Sequence, residues 1–397
     1  MSFQPKNRHR LALSTILFSM ALTPAWAQDT GDIAQGLKTA LSHQGLEMTW
    51  TSISGDASSM SLQGVSLTAS GSSENLAIGD VKLEDVMPAD GGYTIKTLST
   101  QAYSRSEGDT TIEASPFIMR GVVIPAEDTT NALGNFMYYQ AAELDMVSVS
   151  VKGTEAFSAS GIKTSMSDFK NGQPMNFSAS VPQFSSNLAL VEDAKFKDAI
   201  KTLGYETITG NMTMAGSWNP ADGRLDFSQY DISVDNAGTL GMTFSIGGYT
   251  PAFIKSMQDL QKQMAQMSGD ANSSAQGMAI LGLMQQLSFN SAAIRFTDHS
   301  LTNKVLDYVG KQQGMSGKDI ANQVKAIVPF GLAQLQNPEL TTQASTALNQ
   351  YLDDPRSLEI LASPASPMPF ALIMANAMGN PADLTKSLGV AVKANQN

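Results

Sequence analysis

The 397-residue chain contains no cysteine. That excludes disulfides, thiolate metal sites, cysteine nucleophiles and a lipoprotein attachment site. Histidine is nearly as scarce: beyond residue 27 only His43 and His299 occur. A His/Cys zinc site is therefore excluded, and a His-based triad has few candidates. Charged residues make up 15% of the chain and aromatic residues 7%. Asp and Glu number 36 against 25 Lys and Arg, which leaves no basic stripe for nucleic acid. Beyond the N-terminus no stretch approaches the ~18 uninterrupted apolar residues of a membrane-spanning helix.

What stands at the N-terminus has the composition of an export signal. Residues 1–10 carry Lys6, Arg8 and Arg10 with no acid, residues 11–22 are apolar, and Pro24 precedes Ala25-Trp26-Ala27. A charged region, a short apolar region and a small-residue cleavage site in this order mark a signal peptide over 1–27, cut between Ala27 and Gln28. The apolar run is about half of the ~20 residues a spanning helix needs. Removing its three bases takes the formal net charge from −11 to −14. Anionic membrane surfaces should repel the remainder, and no transmembrane segment is expected after cleavage. An exported chain without cysteine relies on its core alone, a habit that suits a bacterial periplasm, and the expected location is periplasmic.

The remaining chain reads as α+β, with antiparallel β-meander sheets, packed helices and a helix-rich C-terminal third. Residues 32–43 place Ile33, Leu37, Ala40 and Leu41 on one helical face and close at Gly45. Period-two alternation follows over 61–69, with Gly64 as a bulge, and over 76–86, with a break at Gly79-Asp80. Tyr93/Ile95 and Val147/Val149/Val151 continue it, separated by turn signals such as Asp90-Gly91-Gly92 and Glu107-Gly108-Asp109. A second helix is expected over 188–203, closed by Gly204. A hairpin of 211–218 and 224–234 about the turn 219–223 comes next. Leu240, Met242, Phe244 and Ile246 alternate in the following strand. These features define a β-rich domain over 28–250 with two helix-plus-meander units. An α+β region over 251–397 follows, either separate or continuous with it.

After Pro251 the period changes to 3.6. Phe253, Met257, Leu260, Met264 and Met267 form one apolar stripe, and Ile280, Leu283, Met284 and Leu287 a second. With the polar linker 268–277 between them, they predict a helical hairpin. A strand over 289–297 and helices near 300–313, 316–328 and 340–352 come next. The Pro-rich run 363–369 is an extended connector between late strands at Leu358/Ile360 and Leu388/Val390/Val392. Met264-Ala-Gln-Met267 has the spacing of a thioether copper pair, but both lie on the apolar stripe, where methionine fills core gaps. A Met-lined hairpin beside a meander suits a malleable apolar groove or lid. Its candidate residues are Phe253, Met257, Leu260, Met264, Met267 and Met284.

No motif carries catalysis. Asp298-His299-Ser300 reads as a cap for the helix carrying Leu301, Val305 and Tyr308, not as a dyad. Residues 310–319 fail the phosphate-loop pattern, because Gln312 stands where the first Gly should be and Asp319 follows the Lys. Gly314 and Ser316 read there as a helix C-cap and N-cap. No spacing singles out Asp353, Asp354 or Glu359 for acid–base work. No catalytic residue, cofactor or metal ligand is assigned. An outer-membrane barrel is disfavoured by the interrupting helices and the lack of aromatic girdles.

Gly45-Leu-x-x-x-Trp50, Ile53-Ser-Gly55-Asp56 and Leu62-x-Gly64-Val65-x-Leu67 resemble N-terminal stretches of AsmA-like envelope proteins. So does Ile294-Arg-Phe-x-Asp298-x-Ser-Leu301 ahead of a helix. The chain also looks similar to uncharacterised exported proteins of alphaproteobacterial type. The likeness covers about a quarter of the chain, and a cleavable signal replaces the membrane anchor of AsmA itself. It implies an elongated β-rich body with an apolar groove and roles in lipid handling or envelope homeostasis. It transfers no functional residue. The expected partner is a lipid or an envelope protein, bound without catalysis through a β-rich groove. A hydrolase using unidentified carboxylates and a structural envelope-homeostasis module are the alternatives.

Overall fold

A computed structural model describes residues 29–70, 72, 74–126, 136–170, 172–266, 273–379 and 381–396. The expected signal peptide, its junction at Ala27 and Gln28, and Met267 lie outside the described residues.

The Asp29 carboxylate accepts the Gly31 amide at 2.8 Å and so starts α1 (Thr30–His43). Gly45, with φ of 82°, lets the chain turn away. The face carrying Ile33, Leu37 and Ala40 is buried against the first strands. These are β1 (Leu46–Thr49), β2 (Ser52–Asp56), β3 (Ser59–Ala69), β4 (Asn75–Ala89) and β5 (Gly92–Thr100). Both β1 and β2 pair with β3, which pairs in turn with β4, and β4 with β5. The bulge expected at Gly64 is present: the register shifts between Leu62 and Val65. Met60, Leu62, Val65, Val81, Leu83 and Ile95 point from one pleat face into a core under α1.

The turn signal at Glu107-Gly108-Asp109 joins β6 (Tyr103–Glu107) to β7 (Thr110–Ala114). Next, β8 (Phe117–Ile124) connects β5 to β9 (Ala141–Val151). From there β10 (Thr154–Met166), β11 (Met175–Asn187), β12 (Thr207–Asn219), β13 (Arg224–Val234) and β14 (Gly238–Gly247) each lie antiparallel to the strand before. The helix expected over 188–203 is divided. A 3₁₀ turn at Leu188–Leu190 is followed by extended Val191, and α2 (Ala194–Leu203) begins only where the Asp193 carboxylate accepts the Phe196 amide at 2.7 Å. Gly204 closes α2 in the left-handed conformation, as expected.

The hairpin expected after Pro251 is formed by α3 (Pro251–Gln266) and α4 (Ser273–Met284), which touch. Then β15 (Ser288–Asp298) pairs with β14, so the sheet runs on across residue 250. Three helices follow: α5 (Leu301–Gln313), α6 (Gly317–Ala333) and α7 (Pro338–Asp353). The expected caps are in place. The Asp298 carboxylate accepts the Thr302 amide at 2.8 Å, Gly314 is left-handed, and Ser316 and Asp319 form a reciprocal capping box. The sheet closes its sequence with β16 (Ser357–Ala362) and β17 (Met368–Pro369) on β15, and β18 (Val390–Ala394) on β16. Between the last two strands lie α8 (Phe370–Gly379) and α9 (Pro381–Ser387), which the sequence reading lacks. The fold is α+β, as expected: one open antiparallel sheet of 18 strands with nine α-helices among the described residues.

Candidate functional site

Alternation along β10 to β18 sorts this half of the sheet into two unlike faces. On one face the cross-strand partners run Met175–Trp218–Leu225–Ile246–Phe289–Met368. The next row is Met166–Phe177–Gly216–Phe227–Phe244–Ala292–Ala362–Val390. Farther along lies Val181–Met212–Ile232–Leu240–Phe296–Leu358–Ala394. The reverse face reads Ser180–Thr213–Asp231–Gly241–Arg295–Glu359–Lys393 across the same strands. One side is thus built for an apolar neighbour and the other for water.

Helices cover the apolar face only in part. Ala347 and Tyr351 of α7 pack with Phe296, Leu358, Val392 and Ala394. At α3, the Phe253 ring lies 5.7 Å from that of Tyr249. Elsewhere the face is open: Ile294 is 52% and Ile360 51% exposed. A single β-branched residue at a surface is ordinary, but partners on adjacent strands make a continuous apolar strip.

Beside α3 the face deepens into a cavity of about 340 Å³. Its walls are Phe136, Met137, Tyr138, Met166, Met175, Phe177, Trp218, Leu225, Phe227, Tyr249 and Ile254, with no charged side chain among them. That volume sits near the lower end of the roughly 300–1,000 Å³ typical of small-molecule sites. Phe177 and Phe227 meet edge to face at 5.3 Å, and the rings of Phe227 and Phe244 lie 5.8 Å apart, tilted by 33°. Gly216 separates the strands of the first pair, and a Cβ there would strike both the Phe177 ring and the Asp226 carbonyl. The Trp218 indole N–H donates to the Tyr249 carbonyl at 2.7 Å, and the Tyr249 amide donates to the Gly223 carbonyl at 2.8 Å. Those two bonds pin the segment after β14 to the 219–223 turn. Burial raises the Tyr249 pKa, while burial and then the charges of Asp168 and Asp90 raise that of Tyr138. Both phenols therefore stay neutral at ordinary pH.

The candidates chosen from sequence are distributed as follows. Phe253 is fully buried, and Met257 and Leu260 are half-buried on the same face of α3. The neighbour of Phe253, Ile254, is the α3 residue that reaches the cavity wall. Met264 belongs to α3, and Met284, half-buried, to α4. The sequence reading missed the aromatic strand residues Phe177, Trp218, Phe227 and Tyr249. A signal for them existed: Trp218 and Leu225 flank the recognised turn, so the hairpin register sets them side by side.

Other titrating groups have local explanations. The Ser58 hydroxyl, followed by the Ser58 and Ser59 amides, lowers the Asp56 pKa, and Ser316 lowers that of Asp319 within its capping box. The His299 amide donates to the Ala237 carbonyl beside the Asp298 cap. Among the described residues no group of three or more His, Asp or Glu is placed to hold a metal ion. Among them, too, no helix is long and apolar enough to cross a membrane.

The class defined by this arrangement is an α+β protein with an amphipathic open sheet. A family model described as an uncharacterized protein is similar to residues 231–395, from within β13 to just past β18, which is less than half of the chain. No curated protein matches the chain.

Proposed function

We propose that the chain is an exported periplasmic carrier that holds an apolar ligand of lipid type, without catalysis, against the apolar face of its sheet. The observation behind this reading is the run of apolar partners across β10 to β18, half open and deepening into an uncharged aromatic cavity. Exposed apolar area of this extent costs about 25 cal/mol per Å² unless something covers it, so a hydrocarbon ligand is the chemical complement. The N-terminal signal-like segment and the absence of cysteine support the location.

Saturable uptake of Nile red by the purified chain, displaced by phospholipid, is the expected result. Mass spectrometry of organic extracts should identify lipid carried by protein isolated from the periplasm. A folded chain that takes up no dye and carries no lipid would overturn the proposal.

A further inference from the structure

We infer that α4 and α8 form a docking tip that seats the groove on the surface of a neutral phospholipid bilayer. This rests on the reading of the sheet face as a lipid groove and names where the lipid comes from. The two helices touch, although α4 precedes β15 and α8 follows β17. Residues 271–294 and 360–382 contain no Asp, Glu, Lys or Arg. At the chain average of 15% charged residues, between three and four would fall in each run.

Uniform apolarity is the telling property. A helix bound to water on one side and protein on the other shows a stripe, whereas one that is apolar all round belongs inside a core or in hydrocarbon. In α8 only Asn376 is polar, yet none of its residues is buried. Its exposed Leu372 and Met374 lie about 200° apart around the axis, so one flat protein surface would leave one of them in water. Met378 is 89% exposed, and Met278 on α4 is 68% exposed. A bilayer interface can receive several sides of such a tip at once.

The tip is continuous with the groove. Phe370 at the start of α8 meets Phe289 edge to face at 6.2 Å, and its amide donates to the Leu287 carbonyl at 3.1 Å. Phe289 is a member of the row that includes Trp218 and Leu225 in the cavity wall. The headgroups are expected to be neutral because the tip offers no cation, and the chain as a whole is acidic. Interfacial helices that recruit anionic lipid carry Lys and Arg on their polar side, which these helices lack.

Flotation with phosphatidylcholine vesicles tests the inference on the purified chain. The chain is expected to float with the vesicles equally at low and high salt, and no better when phosphatidylglycerol is added. The double variant Leu372→Asp/Met378→Asp should lower the bound fraction at least tenfold while Nile red uptake stays unchanged. Both positions are exposed, and Met378→Asp alone is the milder check if the double variant misfolds. Failure of the wild-type chain to float, or equal flotation of the variants, would overturn the docking tip. Self-association through the tip that dissolves in the variant, without vesicle binding, would also overturn it. Flotation without dye uptake would remove the groove reading and leave the tip standing.

Discussion

The ring of Phe177 on β11 lies over Gly216 on β12, where its tip would collide with any side chain. The glycine thereby lets Phe177 and Phe227, on strands two apart, meet directly at 5.3 Å. Gly216→Val should force the ring out of its packed position and push on the Asp226 carbonyl. Overpacking of this kind costs about 1–3 kcal/mol. A lowered urea midpoint together with weaker Nile red uptake is expected. An unchanged midpoint would show that the rings rearrange freely.

Trp218→Phe keeps an aromatic wall and removes one donor. The Tyr249 carbonyl then loses its indole partner, a change worth about 0.5–1.5 kcal/mol. Chemical denaturation should register that loss with no change in the slope, because the sheet itself is untouched. Dye binding should persist, since the cavity keeps its apolar lining.

The burial of Tyr249 makes a prediction about alkaline pH. Its folded pKa is raised above the ordinary value near 10, so the folded state holds the phenolic proton more tightly than the unfolded chain. Its contribution is whole below about pH 10 and is lost as pH rises through the folded pKa. Above about pH 10 the stability of the wild-type chain should therefore fall more steeply with pH than that of Tyr249→Phe, as unfolding midpoints measured across that range would show.

Phe253→Ala separates core from groove. Phe253 is 0% exposed, and its loss should cost about 3–5 kcal/mol of stability. Ile254→Ala, which widens the cavity wall, should cost less and alter dye affinity instead. Calorimetry of the two variants, paired with dye titration, distinguishes the roles.

Periodicity made much of the fold legible. The stripe of Ile33, Leu37 and Ala40, the bulge at Gly64, the 219–223 turn and the Ser316 cap are all local signals, and the structure has each of them. The break at Asp193 was hidden because a capping aspartate inside an apolar-periodic run looks like any exposed position. α8 was missed for the opposite reason: residues 370–379 are apolar at nearly every position and so show no period. The cavity was not legible in this way: α3 supplies Ile254 to its wall, and the rest depends on registers that bring β10, β11, β12 and β13 together. Register is a property of pairs of strands, and one strand read alone does not contain it.

Most strands of this sheet bond to the strand that precedes them in the chain, and the core under α1 draws on residues 33–142. Where such neighbours are joined by tight turns, as from β9 to β10 and from β12 to β13, each new pairing sacrifices little chain freedom. The molecule can therefore assemble in chain order, with each finished strand a template for the next. The strands β15 to β18, which complete the apolar face, then arrive last. The apolar face is therefore completed last, and α7 covers only its far end.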